Sequence, residues 1–239
     1  MRAFHNDPKI KDKYMARLQA HYAADEIVKG RYWEDGKGCA VGCTIHSDDH
    51  FAYETELGIP EALARLQDCV FEGLTLEKAK EFPIEFLGSV NVGSDLSLVV
   101  DKFLHWLLVD VEHGVIQYSD DKQAVQNVAD LYQRKIDGET TDTSEWRAAA
   151  GAAYYAGAGY AAACAGAAAA YNAALEDGYD ADSADSAEAA ESAEAAANAA
   201  LEDDDAAGAA YDAAIRAIQS EKLIELITHT KGKDNESIS

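Results

Sequence analysis

Apolar residues recur every four positions at Ile10, Tyr14, Leu18 and Tyr22, behind an Asp7-Pro8 pair. Asp is a good N-cap and proline suits the first helical position, so the pattern predicts an amphipathic helix, with Gly30 ending the run. Gly36, Gly38 and Gly42 then mark a tight loop touching a short strand around residues 39–41. Residues 46–57 read as a second helical segment ended by Gly58, and Pro60 starts a third with Leu63, Leu66 and Val70 on one face. Pro83 separates two short helices, at 76–82 and 84–87. Ser94 is placed to cap a helix over 95–109, whose wide stripe of Leu96, Val99, Val100, Phe103, Leu104, Leu107 and Leu108 is the expected centre of the core. A short strand or hairpin arm is expected over 111–118. A helix over 121–137 follows, with Val125, Val128 and Leu131 inward. The polar, Thr-rich stretch 138–144 reads as a domain boundary.

Beyond it the pattern changes. Three helices are expected, at about 145–176, 181–203 and 206–229, then a polar tail from Lys231 expected to be disordered. The first is built almost entirely from Ala, Gly and Tyr. Burying Ala removes little apolar surface from water, and each interior Gly costs about 1 kcal/mol against Ala in a helix, so this segment needs close backbone neighbours. The predicted fold is mainly α: a helical N-terminal domain (1–140) with at most a small β element, an Ala-rich acidic helical hairpin or bundle (141–230), and a tail (231–239).

Charge sharpens this division. The chain of 239 residues carries 44 acidic and 20 basic side chains, a formal charge of −24. Between Arg147 and Arg216 there is no Lys or Arg, yet thirteen acids lie between Glu176 and Asp212. Asp182, Asp185, Glu188, Glu191 and Glu194 follow one another at three-residue steps, and Glu202, Asp203, Asp204 and Asp205 form a run. Three residues turn an α-helix by about 300°, so those acids wind around the axis. Nucleic-acid phosphate is a poor direct partner for such a chain, because affinity there comes from Lys and Arg. A basic protein surface is a good one. The same segment reads otherwise as a solvated acidic helix face.

Other classes narrow quickly. The opening MRAFHNDPKIKDK holds no apolar stretch of the kind a secretory signal needs, and four unevenly spaced cysteines make no disulfide framework. Reduced thiols in a cytoplasm are expected. Residues 148–175 are uncharged and long enough to span a bilayer, but nearly lack Leu, Ile, Val and Phe, so insertion is not expected.

The densest chemistry lies in Gly36-Lys37-Gly38-Cys39-Ala40-Val41-Gly42-Cys43-Thr44-Ile45-His46, continuing to His50. Three readings compete. As a zinc site it offers Cys39, Cys43, His46 and His50, although the usual finger separates its Cys and His pairs more widely. As a catalytic site, Cys39 or Cys43 acts as nucleophile with His46 nearby; this requires a lowered thiol pKa. As a buried turn, the thiols pack as small hydrophobes and the imidazoles satisfy backbone groups. His5 and His21 are read as structural. Glu54, Glu56, Asp68 and Glu72 form carboxylate pairs only if their helices converge.

FHNDPKIKDKY (4–14), GKGCAVGCTIH (36–46), YETELGIP (53–60) and FEGL (71–74) carry a resemblance of residues 3–74 to a family of bacterial, prophage and phage proteins, whose members often end in Ala-rich repeats. The family brings no assigned activity. The resemblance implies a mobile-element or viral setting. Such relatives often mix Arg or Trp into the repeat, and this chain departs from them. The leading expectation is a non-enzymatic acidic interaction protein, a counter-defence inhibitor meeting a host nucleic-acid-binding protein. The alternative is a small Cys/His enzyme or zinc module at 36–50. Self-association through the small-residue helix is a third reading.

Overall fold

The computed structural model describes residues 1–155 and 206–230. It is mainly helical with a small two-stranded antiparallel sheet. The chain forms two compact units, residues 1–100 with 209–239, and residues 101–208.

In the first unit, helix α1 (Pro8–Ala23) starts as expected: the Asp7 carboxylate accepts from the Lys9 backbone N–H at 2.9 Å and Pro8 fills the first turn. Its inward face is Tyr14, Leu18 and His21. Tyr22, expected on that face, is exposed, and the helix stops at Ala23, well before Gly30. Strands β1 (Trp33–Glu34) and β2 (Lys37–Gly38) pair across Asp35-Gly36. Both turn residues have positive φ, 51° and 81°, the two-residue hairpin geometry that Asp-Gly favours. Residues 39–41, expected as strand, instead lead into helix α2 (Ala40–Ile45).

The helix expected over 46–57 is replaced by a left-handed His46, a polar turn and one wide helical turn at Tyr53–Leu57, closed by Gly58 at φ 63°. The reason lies in α2: six residues cannot continue past a residue at φ 60°, ψ 38°. Helix α3 (Glu61–Gly73) follows Pro60, and α4 (Leu76–Ser89) is continuous through Pro83. The expected break fails because Ala79, Phe82, Phe86 and Leu87 are buried on both sides of the proline. Each large apolar side chain gains about 1.5–3 kcal/mol on burial, together exceeding the proline's cost of about 3 kcal/mol.

Helix α5 (Val99–Val109) begins four residues later than expected. Ser94 does not cap it; its hydroxyl donates to the Asn91 carbonyl, and Asp95 accepts from the Ser97 N–H in a turn of its own. Helix α8 (Ala206–Thr228) returns to the first unit and buries Leu223 and Ile227. It comes close to α3: a methyl group on Gly73 would lie 2.5 Å from Cγ of Arg216.

In the second unit the expected strand at 111–118 is a 3-10 turn, Val115–Tyr118. Helix α6 (Lys122–Ile136) is capped by Asp121 and buries Val125, Val128 and Leu131 as its periodicity requires. Helix α7 (Thr143–Tyr155) packs on it, with Trp146 edge-on to Tyr132 at 4.9 Å and its indole N–H donating to Thr141 Oγ1 at 3.1 Å. The segment 138–144, read as a boundary, holds most of the α6–α7 connector and the first two residues of α7, within this unit. Asp101 pairs with Lys135 at 3.1 Å. Trp146 is fully buried, so Trp146→Ala is expected to cost the second unit about 3–5 kcal/mol in urea unfolding followed by circular dichroism. A cost below 1 kcal/mol would contradict its place in that core.

The helices expected over 181–203, most of that over 145–176, and the tail from Lys231 lie outside the described residues. Among the described residues no helix is long and apolar enough to cross a membrane.

Candidate functional site

The Gly-Cys segment is positioned by backbone contact. The Cys39 N–H donates to the carbonyls of Arg31 at 2.7 Å and Tyr32 at 3.1 Å, while Gly38 exchanges bonds with Glu26 and Val28. This lays residues 31–33 directly across the start of α2. A Cβ on Gly38 would lie 2.0 Å from the Tyr32 carbonyl oxygen, and one on Gly42 would lie 1.6 Å from it. Only hydrogen fits at either place. Two of the motif's glycines therefore serve a close crossing of chain over chain, with Gly36 in the hairpin turn.

Two polar clusters are built on this crossing. The first centres on Asp68, on the inward face of α3. Its Oδ2 accepts from Nε2 of His50 at 2.9 Å and from the Cys39 thiol at 3.4 Å, and its Oδ1 accepts from the Val41 N–H at 3.4 Å. Asp68 and His50 are each only 8% exposed. The Tyr32 ring stands edge-on to His50 at 5.7 Å. The carboxylate thus ties together the start of α2, the turn at His50 and α3. Alongside it, the Tyr53 hydroxyl donates to Gln67 Oε1 at 2.9 Å, and Thr44 donates back to the Ala40 carbonyl.

The second cluster joins His21 of α1 to His46 at the end of α2. Their Nε2 atoms lie 2.7 Å apart, and Nδ1 of His21 is 2.7 Å from a Glu26 carboxylate oxygen. The His46 ring stacks on Trp33 at 4.4 Å and 10°, and the His21 ring meets Trp33 edge-on at 5.4 Å. Arg17 donates to the Thr44 carbonyl at 2.7 Å beside this group. Burial first, then the charges of Arg17 and His21, lower the His46 pKa.

The sequence-predicted residues are thus divided. Cys39 and His50 meet at Asp68; His46 faces the other way, toward His21. Cys43 donates its thiol to the Gly38 carbonyl at 3.3 Å. The four proposed zinc ligands are not gathered round one point, and among the described residues no group of three or more His, Cys, Asp or Glu is arranged to hold a metal ion. Nor is the condition for a nucleophile met. Burial, reinforced at Cys39 by the Asp68 charge, raises the Cys39 pKa well above the usual thiol range and pushes Cys43 up to about 12. Both thiols bond to oxygen, not to an imidazole that would draw off the proton.

The four carboxylates considered as pairs do not converge. Glu54 accepts from the Glu61 N–H, Glu56 from the Tyr14 hydroxyl, and Glu72 from the Gly30 N–H, while Asp68 alone enters the site. His21 and Glu26 belong to the second cluster and were missed. The signal at hand was the inward register of His21 with Tyr14 and Leu18, at i, i+4 and i+7. Asp182, Asp185, Glu188, Glu191, Glu194, Glu202, Asp203, Asp204 and Asp205 lie outside the described residues.

No family model matches the chain, and neither a curated protein nor a solved structure is found similar to it.

Proposed function

We propose that this chain is a non-enzymatic interaction protein whose acidic segment occupies a basic, nucleic-acid-binding surface on a protein partner. The observation that carries the reading is the segregation of charge: thirteen acids between Glu176 and Asp212, with no Lys or Arg between Arg147 and Arg216. Such a segment presents a negative field that its own neighbours in sequence do not neutralise, and a surface evolved to hold phosphates is complementary to it. The state of the Gly-Cys segment supports the same view. Its thiols are neutral and spent on structural bonds, which leaves the Cys/His enzyme reading without an activated group. The resemblance of residues 3–74 to phage and prophage proteins points to a host defence protein as the partner, met in the host cytoplasm.

Binding of this kind is screened by salt and competes with the phosphates it replaces. The full chain, immobilised and exposed to host extract, is expected to retain basic nucleic-acid-binding proteins at about 50 mM salt. It is expected to release most of them at about 500 mM salt or on addition of duplex DNA. Retention unchanged by both treatments would overturn the proposal.

A further inference from the structure

We propose that His21 and His46 form a binding site for a divalent cation of the imidazole-preferring class, such as Zn²⁺, Ni²⁺ or Cu²⁺. The site is distinct from the four-ligand arrangement considered from sequence and owes nothing to the acidic segment.

The geometry is specific. Two imidazole Nε2 atoms face one another at 2.7 Å, so the in-plane directions of both rings converge on the space between them. Glu26 stands behind one ring, 2.7 Å from Nδ1 of His21. A carboxylate there accepts the Nδ1–H, which fixes the tautomer and turns the Nε2 lone pair toward His46, whose Nε2–H it accepts until an ion displaces that proton. That carboxylate–imidazole order is the arrangement that orients metal-binding histidines in general. Trp33 holds both rings, one stacked on its face and one edge-on. The orientation of the pair is therefore set by α1, the end of α2 and β1 together.

The site is also reachable. The His21 side chain is only 11% exposed, but His46 is exposed and the Glu26 side chain is 33% exposed, so an ion enters with its water from the His46 side. Zinc–nitrogen bonds of about 2.0–2.1 Å place two nitrogens of a tetrahedron about 3.3 Å apart. The rings need part by only about half an ångström, and the exposed His46 supplies that movement. Water completes the coordination. Arg17 adds a positive charge nearby that Glu26 offsets, and a site with no inner carboxylate disfavours hard ions such as Mg²⁺.

The test is titration of the full chain, stripped with chelator, by ZnCl₂ and NiCl₂ in a calorimeter, with millimolar Mg²⁺ present to occupy surface carboxylates. One saturable equivalent is expected. His46→Ala, at an exposed position, is expected to remove it while leaving the circular dichroism unchanged, and Glu26→Gln to weaken it at least about 10-fold. Loaded with one equivalent of Cu²⁺, the protein is expected to give an electron paramagnetic resonance spectrum with coupling to two imidazole nitrogens. An absent equivalent, one that His46→Ala retains, or a copper spectrum of oxygen ligands alone would each overturn the proposal.

Discussion

Replacing Gly42 by alanine is expected to unfold the first unit, or to destabilise it by about 4 kcal/mol or more. The added methyl carbon would lie 1.6 Å from the Tyr32 carbonyl oxygen, less than half a normal contact distance. The carbonyl cannot retreat cheaply. It accepts from the Cys39 N–H at 3.1 Å, and the next residue, Trp33, is paired in register with Gly38. Moving it would break the hairpin and release the Trp33 ring from His46. Gly36→Ala supplies the contrast: a methyl there meets nothing within 4 Å, and the only penalty is the positive φ of 81°, about 1–2 kcal/mol. Urea unfolding of the full chain, followed by circular dichroism, separates the two. A Gly42→Ala protein as stable as Gly36→Ala would show that the crossing of residues 31–33 over α2 is wrong.

The second large effect is chemical. Cys43 has a pKa of about 12 in place of 9.0, which at pH 8 cuts its thiolate by about 1000-fold. Cys39 is shifted in the same direction, first by burial and then by the Asp68 charge. Alkylation by iodoacetamide at pH 8, mapped cysteine by cysteine, is expected to run at least about 100-fold slower at both residues in the native chain than in urea. The half-buried Cys69 serves as internal reference. Linkage gives a matching pH dependence. A thiol whose folded pKa is raised contributes stability that is fully present below about pH 9 and is lost as pH climbs toward about 12. Unfolding in mild alkali is thus expected to ease steadily above pH 9. Native labelling at either cysteine as fast as in urea would restore the nucleophile reading.

Where one helix carried both its apolar face and its own cap, the sequence was readable. Asp7 and Pro8 announce α1, and in α6 Val125, Val128 and Leu131 point inward as their spacing requires. Errors arose where tertiary contact overrides a local rule. Pro83 stays helical because aromatic burial flanks it, and residues 46–57 leave the helical path because His46 turns left-handed to meet His21. Ser94, a good cap by type, is spent on Asn91. The hairpin was legible in principle, since Asp35-Gly36 is a turn dipeptide, but Gly38 and Gly42 close behind it give the stretch the look of one long loop.

The site followed the same logic. Its motif stood out in sequence because glycine, cysteine and histidine are dense there, but density does not say which groups meet. Asp68 lies eighteen residues beyond His50 and was one of four carboxylates with equal standing on a helix pattern. Only the packing of α3 against α2 selects it. Likewise His21 reaches His46 across twenty-five residues. The four-residue spacing pointed to Tyr22 as the inward residue beside Tyr14 and Leu18, whereas the helix turns His21 inward, and nothing in the spacing names what lies opposite.

The central functional proposal is that the carboxylates between Glu176 and Asp212 create the binding surface. Its most direct test is capture of host proteins by the full chain beside a variant in which Asp182, Asp185, Asp203, Asp204 and Asp205 are changed to Asn and Glu188, Glu191, Glu194 and Glu202 to Gln. The account predicts a salt-sensitive basic partner held by the native chain and lost from the amide variant at every salt concentration. The same partner held equally by both chains would contradict it.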